Sequence, residues 1–115
     1  MEVRWEVTDP LGNKVSLKTS TYTEHILGDH EDKDKAYRKM LEPLAKQTLI
    51  SPRHIVRDGE RLLYYDLITA EKNPLKLRIL KVVADTGGEV VTWTTLRKGD
   101  SIIKGEVVYD SISGK

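Results

Sequence analysis

His54-Ile55-Val56-Arg57-Asp58-Gly59-Glu60-Arg61-Leu62-Leu63-Tyr64-Tyr65-Asp66-Leu67-Ile68-Thr69 is the stretch that decides the fold. A short apolar-rich run, His54 to Arg57, meets Asp58-Gly59, a dipeptide that favours the tight turn of a β-hairpin. A long strand-like run from Arg61 to Thr69 follows. Glu71-Lys72-Asn73-Pro74 then turns the chain, and Leu75 to Ala84 is its most apolar strand. Asp85-Thr86-Gly87-Gly88 turns it again, and Glu89 to Leu96 closes the series. Short turns join antiparallel neighbours, whereas parallel pairs need long crossovers. The stretch therefore predicts an antiparallel meander of about four strands.

Upstream, the period changes. Tyr37, Met40, Leu41, Leu44, Ala45 and Thr48 recur at helical spacing, predicting a helix from about Lys33 to Leu49. Pro43 lies inside that pattern, where it removes a backbone donor, so a kink or a fresh helix start is expected there. A shorter helix is predicted after Thr19-Ser20-Thr21, with Thr21-Tyr22-Thr23-Glu24 as a capping box and Gly28 as its stop. Glu2 to Val7 and Lys14 to Lys18 alternate apolar and polar residues around Asp9-Pro10-Leu11-Gly12-Asn13, which reads as an N-terminal β-hairpin. Gly105-Glu106-Val107-Val108-Tyr109 can supply an extra strand after the less regular Lys98-Gly99-Asp100. The class is α+β, one domain over residues 1–115, with the helices on one face of the sheet.

Composition narrows the function. The 115 residues contain no cysteine, which excludes disulfides, thiolate metal sites and cysteine nucleophiles. No apolar run approaches the ~20 residues of a membrane helix, and the charged N-terminus lacks a signal-peptide core. The cytoplasm is the expected compartment, with no membrane partner. Lys plus Arg is 19 and Asp plus Glu is 18, a net charge of +1. Nonspecific nucleic-acid binders usually carry a clear basic excess, so any RNA contact here would need a local cluster or a partner. There is no Gly-rich phosphate loop, nucleophile elbow or paired-histidine zinc helix. No cofactor and no metal are expected.

A few polar residues stand out against this background. His25 and Asp29 are four apart, and on a helix they share a face with His30 just beyond. That spacing reads either as a metal pair or as a solvated helix end. Lys81 sits in the middle of Leu77-Arg78-Ile79-Leu80-Lys81-Val82-Val83-Ala84, where an unpaired buried ammonium would be costly. It must be paired, near an edge or facing a cleft, unless its stem covers the sheet while its head reaches water. Thr92 and Thr94 share one face of the last strand and Trp93 and Thr95 the other. The threonines form either an exposed sheet face or a row of hydroxyls able to bind phosphate. Arg57 and Arg61 flank the Asp58-Gly59 turn, after Arg53 and His54. They suit phosphate by their planar forks, or are simply solvated.

The order Thr19…His25-Ile26-Leu27…His30, Ser51-Pro52…Ile55-Val56…Asp58, Tyr64-Tyr65, Leu80-Lys81-Val82-Val83 and Val90-Val91-Thr92 resembles small phage- and mobile-element-borne nuclease domains. These are grouped with barnase, EndoU, the tRNA-cleaving colicins and RelE-type toxins. The resemblance covers about residues 15–95. It implies helices followed by a four-stranded antiparallel sheet, and RNA cleavage without metal, in which the ribose 2′-hydroxyl attacks the adjacent phosphate. It further implies His25 as general base or acid, Lys81 as phosphate stabiliser and Thr92 as the last-strand hydroxyl. Thr94, Arg57 and His30 would be substrate-binding residues. His30 is followed by Glu31 where many relatives have proline. The partners implied are RNA and a protein such as an antitoxin. The alternative is a non-catalytic interaction module that keeps the fold and binds a protein partner, or a second copy, through the Trp5 hairpin or the Gly105–Tyr109 segment.

Overall fold

The computed structural model describes residues 2–28, 31–70, 73–96 and 105–112. Strand β1 (Val3–Thr8) pairs antiparallel with β2 (Lys14–Lys18), forming the expected hairpin. Its turn is organised by Asp9, which is 4% exposed and whose carboxylate accepts the backbone N–H groups of Leu11 and Asn13. One α-helical turn, α1 (Thr19–Thr21), runs directly into a π-helical segment, Tyr22–Leu27. The expected capping box is not formed, because Thr21 is already helical and the cap position falls to Lys18. Gly28 ends the segment at φ +42°, its N–H bonded to the Thr23 carbonyl.

Helix α2 (Asp32–Ile50) passes through Pro43, and no second helix begins there. Pro43 is exposed, while Leu41, Ala45, Thr48 and Leu49 hold the helix to the core on both sides of it. Tyr37 and Leu44, expected on the buried face, are exposed, with the Tyr37 hydroxyl 3.2 Å from Thr95 Oγ1. Glu42, one residue from that face, is fixed instead by Arg4 and by the indole N–H of Trp5.

Strands β3 (His54–Asp58), β4 (Arg61–Ala70), β5 (Asn73–Asp85) and β6 (Val90–Leu96) form the predicted meander. Asp58 pairs with Arg61, so the hairpin loop is Gly59-Glu60, one residue later than the dipeptide signal. The segment 105–109 extends the sheet as β7 (Glu106–Asp110), which pairs with β3. The five-stranded order is β6-β5-β4-β3-β7, antiparallel throughout. The turn at 71–72 and the stretch 97–104 lie outside the described residues.

Alternation along the strands divides the sheet into two faces. On one, Ile55, Leu62, Tyr64, Leu80, Val82, Ala84 and Trp93 meet the helical layer and the hairpin in a common core with Val15, Leu17, Tyr22, Ile26, Leu41, Ala45 and Leu49. Trp5 stacks on Trp93 at 6.4 Å, and the Arg4 guanidinium lies 3.9 Å over the Tyr22 ring. The Trp5 side chain is thus directed into the molecule. Ser16 of β2 bridges Glu89, which fastens the hairpin beside β6. No helix among the described residues lies on the opposite face, hereafter the open face although Val56, Tyr65 and Val83 on it are buried, and none is long and apolar enough to cross a membrane.

Candidate active site

Antiparallel pairing puts directly opposed residues on the same face, with Cβ atoms roughly 5 Å apart. On the open face the registers connect one residue from every strand of the main sheet. Asp110 of β7 opposes His54 of β3, and His54 opposes Tyr65 of β4. Tyr65 opposes Lys81 of β5, and Lys81 opposes Thr94 of β6. A carboxylate, an imidazole, a phenol, an ammonium and a hydroxyl therefore stand in one rank across the sheet.

The neighbouring ranks are largely apolar. On one side run Val107, Val56, Leu63, Val83 and Thr92; on the other run Leu67, Ile79 and Leu96. Val56 and Val83 are buried, and Leu67 is 40% exposed. The second of these ranks and the polar rank border a hollow of about 150 Å³, lined by Arg53, His54, Tyr65, Asp66, Leu67, Ile79 and Leu96.

The chemistry follows from the side chains. His54 Nε2 lies 3.6 Å from Asp110 Oδ2, with both side chains partly exposed. That separation is beyond a hydrogen bond but within an ion pair once the imidazole is protonated. Asp110 is oriented by the backbone N–H of Ile112, which donates to its Oδ1 at 2.9 Å. Tyr65 is almost fully buried, and burial, reinforced by the Asp58 carboxylate, raises its hydroxyl above the ordinary pKa. It remains a protonated donor at neutral pH. Lys81, half-buried, adds a cation two strands from His54. The rank can thus accept a proton, donate one, and stabilise added negative charge.

The residues singled out from sequence divide between the faces. Lys81 and Thr94 are direct partners in the rank, and Thr92 stands beside them on the open face. Arg38 of α2 donates to Thr92 Oγ1 at 3.3 Å and to the Trp93 carbonyl at 3.1 Å, covering part of the β6 edge. His25 is exposed on the π-helical segment, in the layer that packs against the other face. It does not join Lys81 and Thr92 in one cleft. Arg57 is exposed and opposes Leu62 and Glu106, again on the helical face. There it borders a separate concavity with Lys14, Tyr64 and the Asp85–Gly88 turn. His30 and Asp29 lie outside the described residues. Among the described residues no three His, Asp or Glu side chains gather to hold a metal ion.

No family model, curated protein or solved structure matches this chain. The candidate site therefore stands on its geometry. His54, Tyr65 and Asp110 carried no distinctive motif. Two of them were within reach of the sequence to within a shift of two residues, because counting outward from Asp58-Gly59 sets His54 opposite Leu63, and the observed Gly59-Glu60 loop sets it opposite Tyr65. Asp110 was not, since β7 joins the sheet beside a strand remote in sequence.

Proposed function

We propose that this chain is a metal-independent endoribonuclease whose reacting groups are His54, Lys81, Tyr65 and Thr94 on the open face. The observation that carries this reading is the unbroken rank Asp110–His54–Tyr65–Lys81–Thr94. The nuclease resemblance of the sequence supplies the reaction, and the register supplies a different histidine from the one the resemblance implied.

A phosphodiester laid over Tyr65 would lie between His54 and Lys81. His54 takes the proton of the ribose 2′-hydroxyl, and Asp110 stabilises the imidazolium that forms. The 2′-oxygen bonds to phosphorus while the bond from phosphorus to the 5′-oxygen breaks. The leaving 5′-oxygen receives a proton from Lys81 or from the Tyr65 hydroxyl. Lys81 and the hydroxyls of Tyr65 and Thr94 bind the negative charge that builds on the phosphoryl oxygens. The products are a 2′,3′-cyclic phosphate and a free 5′-hydroxyl. Arg53 and Lys81 are the cations at this end of the face, with the carboxylates of Asp66 and Asp110 beside them.

The test is incubation of the purified protein with total RNA and with tRNA in excess EDTA. Fragments ending in 2′,3′-cyclic phosphate support the proposal. Intact RNA in the presence of well-folded protein contradicts it. The reading then favoured is a protein-binding module, whose supporting observation is the edge strand β7 with Val107 49% exposed.

A further inference from the structure

We propose that the hollow bounded by Leu67, Ile79 and Leu96 seats one unpaired nucleobase, so that the polymer bound on the open face is single-stranded RNA. The inference builds on the ribonuclease reading for its chemistry, but the binding it describes is separable from cleavage.

The hollow adjoins the polar rank directly. Its apolar floor is displaced from that rank by two residues along each strand, about 7 Å. That separation is comparable to the reach of a ribose between its phosphate and its base. A phosphate held by His54 and Lys81 would therefore deliver the attached base onto Leu67, Ile79 and Leu96. Aliphatic side chains on a pleated sheet present a flat, apolar surface, which suits the face of an aromatic ring. At about 150 Å³ the hollow is on the scale of one ring system.

Beyond His54 and Tyr65 of the polar rank, Asp66 and Arg53 are the polar residues of the lining. The Asp66 carboxylate is occupied by the Leu67 N–H at 2.8 Å. Arg53 is fixed at its backbone by Tyr65 and Ser111, while its side chain is exposed at the rim. Its planar guanidinium can meet a base edge or the next phosphate. In an A-form duplex the base faces are stacked on one another and inaccessible, and protein contacts go to the backbone and shallow groove. An apolar seat beside the polar rank therefore selects against duplex RNA.

The experiment uses a labelled 2′-O-methyl RNA oligonucleotide, which lacks the attacking hydroxyl and cannot be cut by this route. Its binding to the full chain is measured by fluorescence anisotropy, as a single strand and as a duplex with its complement. Leu67 is exposed enough for L67S to keep the fold, which a thermal melt verifies. The expected result is a preference for the single strand, reduced about fivefold in L67S while duplex binding is unchanged. Equal binding of both forms, or an L67S affinity equal to the native one, overturns the seat and leaves the cleavage proposal untouched. A single-strand preference lost in L67S, with unmodified RNA left intact by the native chain, supports the seat and overturns the ribonuclease reading. Absence of binding to either oligonucleotide overturns the seat.

Discussion

His54 and Asp110 face each other across the β3–β7 ladder, imidazole Nε2 to carboxylate Oδ2 at 3.6 Å. The polar rank is completed by the final strand of the sheet, added beside the strand that begins the meander. Removal of the carboxylate should therefore weaken the chemistry without abolishing it. Asp110→Asn is expected to slow EDTA-resistant cleavage about tenfold, a modest share of what acid–base groups contribute. Initial rates on a labelled oligoribonucleotide check this, and an unchanged rate removes Asp110 from the site.

The buried hydrogen bond from Tyr64 Oη to Asp9 Oδ2, at 2.6 Å, ties the sheet to the hairpin turn. Tyr64→Phe deprives a nearly inaccessible carboxylate of a donor, at a cost of about 1–3 kcal/mol in chemical denaturation. Burial, followed by the Asp9 hydrogen bond and charge, raises the Tyr64 hydroxyl far above its ordinary pKa of 10.0. A raised folded pKa contributes stability below pH 10.0 that is lost as the unfolded phenol ionises. The native chain should lose stability more steeply than Tyr64→Phe as the pH rises above 10. Parallel alkaline melting curves would contradict the assignment.

Glu42 gives the opposite sign. Its hydrogen bonds from Arg4 and from the Trp5 indole outweigh burial and lower its pKa below the ordinary 4.5. Its contribution is present above pH 4.5 and fades as the pH falls through the lower folded value. The Arg4 side chain is 37% exposed, so the gain is discounted to about 1 kcal/mol or less. Thermal melts between neutral pH and pH 3 should show a shallower acid decline for Glu42→Gln than for the native chain.

Two glycines separate backbone strain from steric clash. Both have positive φ, +61° at Gly59 and +88° at Gly88. A Cβ on Gly59 meets open space, whereas one on Gly88 would stand 2.4 Å from the Lys14 carbonyl oxygen. Gly59→Ala should cost about 1–2 kcal/mol from conformation alone. Gly88→Ala should cost more, because β2 must move away from β6 and the Ser16–Gly88 hydrogen bond is lost. Equal costs in denaturant titration would contradict this.

The sheet was legible because its turns carry their own chemistry. Asp58-Gly59 and Asp85–Gly88 fix two hairpins locally, and the Asp85 carboxylate accepts the N–H groups of Gly87 and Glu89 just as such a turn requires. The α2 face was less legible. Leu44 is exposed where helical spacing set it on the buried face, and Glu42 is held by Arg4 and Trp5, which are distant in sequence. Lys81, Thr92 and Thr94 could be placed on a common face by alternation within their own strands and the turn between them. His25 could not be excluded from that face by sequence, because the side of the sheet a helix takes is set by tertiary packing.

The most direct measurement compares RNA cleavage in excess EDTA by the native chain, His54→Ala, Lys81→Ala and His25→Ala. Losses of roughly a hundredfold or more are expected for His54→Ala and Lys81→Ala, the scale of a general acid–base group. His25→Ala should cleave at the native rate. Cleavage that survives His54→Ala and disappears in His25→Ala would contradict the site on the open face.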